Sequence, residues 1–327
     1  VTALDSEGQA MAWQDDNTTG KDAVTESPGQ APAPLHAMSI DVEDYFHVAA
    51  LAQVIRPDQW GDLPSRVERN TEQLLALFER HNVRATFFVL GWVAERYPGL
   101  VRKLAQGGHE IASHGYSHQL IYNQTPEVFR EETQRAKALL EDQVQRPVRG
   151  YRAASYSITR QSLWALDILA ELGFTWDSSI FPIHHDRYGI PGSPTAPYTL
   201  ETPAGHQLQE FPLTTAKLFG VTIPAAGGGY FRQFPYPLFR FLFHRASDHG
   251  RKPQMFYLHP WEIDPGQPRY NNASWFSRFR HYTNLDKCES RLERLLTDFR
   301  FGTVSDSYTD YQRQQPEASP DQRVRLA

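Results

Sequence analysis

The sequence predicts an α/β fold, a parallel sheet or barrel of about seven or eight strands with helices between them. Three observations carry this. Short apolar runs such as residues 85–90 and 254–259 have the length and composition of strands buried on both faces. Amphipathic segments long enough for helices separate them, and the two patterns alternate along the chain. The 327 residues suffice for one large domain or two ordinary ones.

In order, residues 1–36 are polar, lack periodicity and end in a proline-rich stretch, so they read as a disordered lead-in. Structure is expected to begin near Met38, a residue that would also serve as an initiator. The apolar run 37–40 is a strand, and 66–80 places Val67, Leu74, Leu75, Leu77 and Phe78 on one helical face. Residues 85–90 form a strand, 99–106 a helix stopped by Gly107-Gly108, and 109–113 a short strand. Thr125, Pro126 and Glu127 supply a cap, a first-turn proline and an acid at the positive end of a helix reaching about Gln143. Strands at 147–153 and 174–178 flank a helix at 160–172, and 207–213 is an imperfectly alternating strand. A helix at 237–246, a buried strand at 254–259, a helix at 288–299 and a strand at 301–305 complete a folded part of 37–307. Residues 308–327 read as a polar tail.

The 33 basic and 38 acidic residues give no basic footprint for nucleic acid. Cys288 is the only cysteine, which excludes an intrachain disulfide framework and a cysteine-rich zinc site. No apolar run has the length of a membrane span, and no basic-then-apolar signal opens the chain, so a cytoplasmic setting is expected.

Polar residues at the strand ends point to the chemistry. Asp41, Glu43 and Asp44 follow the first strand, where alternation puts Asp41 and Glu43 on one side. Alone, this cluster reads best as a solvated acidic turn. Yet His114, Arg152, Asp177 and His259 end four further strands, and in a barrel the C-terminal strand ends form the active face. His114 and His118, at i and i+4, are expected on one face of a helical turn, where both imidazoles reach one ion. With a carboxylate they make a facial set suited to zinc or another divalent cation. His47 and the 184–186 His-His-Asp stretch read as structural or substrate-adjacent.

Asp41-Val42-Glu43-Asp44, His114 to His118, Arg152, Trp176-Asp177-Ser178-Ser179 and Leu258-His259-Pro260 resemble, in order, the five motifs of the polysaccharide deacetylases. This is the NodB homology family, similar to carbohydrate esterase family 4. More narrowly, residues from Met38 to about 307, with the Gly-Gly-Gly-Tyr-Phe-Arg stretch at 227–232, resemble its exosortase-associated exopolysaccharide branch. The resemblance implies a distorted (β/α)7–8 barrel with extra C-terminal elements from about residue 220. It implies a hydrolase removing N-acetyl groups from an aminosugar polymer, a divalent metal (zinc first, then cobalt, nickel or manganese) and a partner in exopolysaccharide synthesis; a same-fold hydrolase of a small non-peptide amide and a catalytically inactive carbohydrate-binding protein are the alternatives. Asp41 would be the general base, Arg152 its partner, His259 the general acid, and Asp177 the residue orienting His259. Glu43, His114 and His118 would bind the metal, with Asp44 a rival to Glu43 because Val42 separates the acids that adjoin in the usual motif. Ala153-Ala154-Ser155-Tyr156 replaces the usual prolines after the arginine, which leaves the groove there open to a different shape. Tyr156, Trp261 and Trp275 would meet the sugar, the last two from a loop at 261–282 long enough to act as a lid. Trp275 reads equally well as a core residue, and the aromatics of 231–243 read as core.

Overall fold

The computed structural model describes residues 33–185, 187–248, 250–314 and 323–326. The lead-in expected over 1–36 lies outside them up to residue 32, as does part of the tail expected after 307.

The chain enters β1 (His36–Val42), whose seven residues are all buried. It continues through α1 (Val67–Arg80), β2 (Thr86–Val89), α2 (Gly91–Arg96), α3 (Pro98–Gln106) and β3 (Glu110–Ser113). Then come α4 (Pro126–Val144), β4 (Gly150–Tyr151), α5 (Trp164–Glu171) and β5 (Trp176–Asp177). An antiparallel pair, β6 (Tyr198–Glu201) and β7 (Gln207–Glu210), precedes a hairpin of β8 (Thr215–Leu218) and β9 (Val221–Pro224). The rest is α6 (Gly228–Gln233), α7 (Tyr236–Ala246), β10 (Met255–Leu258), α8 (Trp275–Tyr282), α9 (Leu285–Asp298), β11 (Phe301–Gly302), α10 (Val304–Gln314) and β12 (Arg323–Arg325). No helix among the described residues is long and apolar enough to cross a membrane.

Ten strands form one sheet in the order β10-β1-β2-β3-β4-β5-β7-β6-β12, with β11 also paired to β1. Every pairing in it is parallel except β6 with β7. No ladder among the described residues rejoins the two ends, so the sheet is an open, distorted barrel. Its core joins the apolar strand residues Ile40, Val42, Phe87 and Leu258 to the inner faces of α1, α3, α4 and α9. Local chemistry sets the helix ends: the Thr125 hydroxyl accepts the Val128 amide at the start of α4, and Ser274 does the same for Ser277 at the start of α8.

The structure corrects several boundaries. The strands expected at 147–153 and 174–178 shrink to two residues each, because the chain leaves the ladder at Arg152 and Ser178 to enter the site. The helix expected from 160 begins at Trp164 after a tight turn at Arg160–Ser162. The strand expected at 301–305 stops at Gly302, and α10 carries the chain on past 307. The lid expected over 261–282 is half helix, since α8 occupies its end.

The glycine run at 227–229 has a steric reason. Gly227 takes φ 133°, ψ −149°, a conformation nearly confined to glycine, and bridges to Tyr257 of β10. A Cβ there would lie 2.0 Å from the Tyr257 carbonyl oxygen, which is backbone and cannot move aside. Gly227→Ala is expected to lower unfolding stability by about 2–4 kcal/mol. An unchanged denaturation midpoint would contradict this close approach.

Candidate active site

Register builds the site. Ile40 of β1 pairs with Leu258 of β10, so the next residues, Asp41 and His259, stand side by side. Ser113 of β3 pairs with Tyr151 of β4, which sets His114 beside Arg152 one step further on. All four emerge at the C-terminal ends of parallel strands.

Arg152 is wholly buried beneath them. Its Nη1 donates to Asp41 Oδ1 at 2.6 Å and to Ser39 Oγ at 2.9 Å, while Nη2 donates to Ser178 Oγ at 3.0 Å. Tyr156 presents its hydroxyl to the other Asp41 oxygen at 3.4 Å. Glu43 turns back into the site because its amide donates to the Asp41 carbonyl two residues earlier, at 3.0 Å. Asp44 is engaged elsewhere. It accepts the Arg66 and Val67 amides and the Ser65 hydroxyl at 2.6–3.0 Å, capping α1, and its second oxygen accepts the Tyr45 amide.

The two histidines approach each other without a helical turn, contrary to the spacing argument. Gly115 and His118 both take positive φ, 72° and 54°, and fold the 114–118 loop back on itself. The first amides of α2, from Gly91 and Trp92, donate to the Gly115 and Tyr116 carbonyls and pin that loop. Donor atoms of Glu43, His114 and His118 all lie within 4.8 Å of one another. His114 Nδ1 is 2.8 Å from the Arg152 carbonyl, which can only accept, so Nδ1 carries the hydrogen and Nε2 keeps a lone pair. Glu43 Oε2 is buried 2.7 Å from His118 Nε2 yet accepts no aligned hydrogen bond. An orphaned buried carboxylate oxygen facing two imidazole nitrogens fits a divalent cation. Burial alone would raise the Glu43 carboxyl, but the charges of His118 and His259 hold it well below the usual carboxylate range. Burial pushes His114 down to about 4, so it is neutral and able to ligate.

Across the site, His259 Nε2 lies 3.4 Å from Glu43 Oε1 and 3.9 Å from Asp41 Oδ2. Burial would lower its pKa. The charge of Glu43, with the hydrogen bond and charge of Glu262, outweighs that and lifts it to about 9. The partner of Nδ1 is Glu262, at 2.7 Å, and not Asp177. Glu262 in turn meets Arg232 Nε at 2.6 Å, and Arg232 also donates to the carbonyls of Arg280, His281 and Thr283. Sequence reasoning missed both residues, although Glu262 three residues after His259 at a Pro-started turn is a capping-box signal. Asp177 instead accepts from the Ser179 amide and hydroxyl and neighbours Glu210.

A cavity of about 460 Å³ opens above these groups. Tyr156, Trp261 and His185 line it, together with Phe276 and Phe279 of α8. Trp261 is buried, packed between the His259 and His281 rings, and its Nε1 donates to Glu43 Oε1 at 3.4 Å, so it braces the site. Trp275 is 74% exposed and stacks on Phe279, beside the cavity lining and not in a core. His47 is buried against Trp60 and Trp92 and its Nδ1 accepts the Asp44 amide, a structural place. His184 is exposed, and the expectation for residue 186 lies outside the described residues.

The mostly parallel α/β sheet thus gathers Asp41, His259 and a candidate metal triad at its strand ends. Residues 59–176 match the family model described as polysaccharide deacetylase, and 178–309 match a domain of unknown function, DUF3473. Over these stretches the chain is similar to the polysaccharide deacetylase family, followed by a DUF3473 domain. It is similar to a peptidoglycan-N-acetylglucosamine deacetylase of Bacillus cereus, 36% identical over 70 residues, or 21% of this chain and 26% of the relative. A chitooligosaccharide deacetylase of Bradyrhizobium is 29% identical over 100 residues, or 31% and 43%. The matches thus span less than half of these relatives. In fold it is similar to a Mycobacterium smegmatis crystal structure assigned to the polysaccharide deacetylases, with TM-score 0.57, 20% identity and coverage of 89% and 95%. Asp41 and Glu43 precede both matched stretches, and His259, Glu262 and Arg232 fall within DUF3473.

The Asp177–Glu210 pair gives the fold a pH signature. Burial raises Asp177 to about 6, and burial together with the Asp177 charge pushes Glu210 well above its usual range. Glu210 Oε2 has no donor, so a proton on it lets it donate to Asp177. Both folded values exceed the unfolded ones of ~4, so the folded protein holds more protons and stability falls as pH rises from ~4 through ~6. Glu210→Gln is expected to flatten that fall, gaining about 1–2 kcal/mol at pH 7 relative to pH 4. Thermal unfolding across pH checks this, and a slope equal to wild type would refute the shared proton.

Proposed function

We propose that the protein is a metal-dependent N-deacetylase that hydrolyses the acetamide of N-acetylated aminosugars in a bacterial exopolysaccharide, within the exosortase-associated branch of its family. The observation carrying this reading is the convergence of Glu43, His114 and His118 on one point, flanked by Asp41 and His259. The activities named for the relatives from Bacillus cereus and Bradyrhizobium support it. Glu43, His114 and His118 would hold a divalent ion, zinc by the chemistry of that donor set, which would supply Lewis acidity toward a water and the acetamide carbonyl.

The chain's own residues do the rest. Asp41 takes a proton from the attacking water, with Arg152 holding Oδ1 and leaving Oδ2 toward the cavity. The water oxygen bonds to the carbonyl carbon, and the C–N bond breaks. His259, protonated at Nε2, gives its proton to the departing nitrogen, releasing acetate and a free amine. Glu262 and Arg232 fix the ring so that Nε2 faces the carboxylates. The polymer supply would come from an exopolysaccharide synthesis partner.

Asp41→Asn and His259→Ala are each expected to reduce turnover by about two to four orders of magnitude. Glu262→Gln keeps an acceptor for Nδ1 and is expected to lose ~10-fold in turnover with KM unchanged, against ~100-fold or more for Glu262→Ala. Acetate release from N-acetylglucosamine oligomers measures all four variants. The same assay on chelated protein is expected to show loss of activity that zinc or cobalt restores. Near-normal turnover in Asp41→Asn, or indifference to chelation, would overturn the assignment.

A further inference from the structure

The cavity changes character toward its mouth. Its floor holds Asp41, Glu43, His114, His118 and His259, and Tyr156, Tyr188, Tyr230 and Tyr257 contribute to its lining. At the mouth stand two exposed arginines, Arg187 and Arg280. The Arg280 guanidinium is centred 5.4 Å from the Phe276 ring and within reach of the Tyr188 hydroxyl. Among the described residues neither arginine has a carboxylate partner, and both stand at the mouth of the same cavity.

Position narrows what these arginines meet. Tyr156 touches Asp41 at 3.4 Å, its ring lies 6.3 Å from that of Tyr188, and Tyr188 adjoins both arginines. That path leads from the reacting acetamide to roughly the next sugar. A guanidinium matches a carboxylate through paired N–H donors, and unpaired cations at a concave mouth concentrate anionic ligands. The acetamide takes the space over Asp41, Glu43 and the histidines, so an anion held by the arginines at the mouth belongs to a neighbouring sugar.

We propose that Arg187 and Arg280 select an acidic polymer, holding the carboxylate of a sugar adjacent to the N-acetylated one. This rests on the N-deacetylase reading above and names its substrate class. Phe276 and Phe279, at the same mouth, offer apolar faces to the sugar rings.

Two tetrasaccharides test it: the neutral tetramer of N-acetylglucosamine, and a tetramer alternating N-acetylglucosamine with glucuronic acid. Zinc-loaded protein is assayed for acetate release and, separately, for binding by calorimetry. The acidic tetramer is expected to bind ~10-fold more tightly at low salt, with the advantage fading as salt screens the charges. Arg187→Gln and Arg280→Gln are each expected to lose ~3-fold of that advantage and together all of it, with neutral-tetramer binding unchanged. Equal binding of the two tetramers, or an advantage that survives in the double variant, overturns the inference. An arginine-dependent preference without acetate release from either tetramer upholds the arginine site and counts against the deacetylase reading.

Discussion

The buried guanidinium of Arg152 is the interaction on which the site depends. One side chain binds Asp41 and Ser39 on β1 and Ser178 just beyond β5, while its own carbonyl fixes the His114 ring beyond β3. The Phe88 ring of β2 lies 3.8 Å from the guanidinium and covers it. A buried ion pair of this kind is held by geometry and full hydrogen bonding, since loss of either partner leaves an uncompensated charge in the core. The same arginine therefore aims Asp41 and keeps His114 in one tautomer.

A second buried arginine repeats the arrangement on the opposite side. Arg232 binds Glu262 and three carbonyls at the end of α8, and Glu262 binds His259. Together the two arginines brace Asp41 and His259 from opposite flanks. The Glu262 carboxyl is held down to about 2 because the charge of Arg232 and the bond to His259 outweigh its burial. The DUF3473 region thus has a physical task, since it supplies His259 together with the Glu262 and Arg232 that orient its ring.

Much of the fold was legible because its signals are local. The apolar runs ending at Asp41, His114 and His259 declare buried parallel strands, and such strands deliver their next residue to one rim. Short elements were not legible. β4 and β5 are two residues each, and α8 is an aromatic and arginine segment whose helix depends on the Ser274 cap and on Arg232 binding its last carbonyls. The histidine pair was legible as a pair, but its loop geometry was not, because positive φ at Gly115 and His118 is imposed by α2.

The sequence by itself determined the alternation of elements and the residue types at each strand end, since side-chain periodicity and chain connectivity act over a few residues. Only the tertiary structure decided which partners meet. Asp44 went to the cap of α1 and left Glu43 to face the histidines, because α1 begins where its carboxylate can reach three donors. Glu262 rather than Asp177 met His259, because Asp177 lies in β5, beside Glu210 of β7, while β10 pairs with β1 on the other side. Trp275 came to lie outside the cavity and Phe276 and Phe279 on it, a choice set by the docking of α8. Such pairings depend on the register of strands far apart in the chain, which no local pattern encodes.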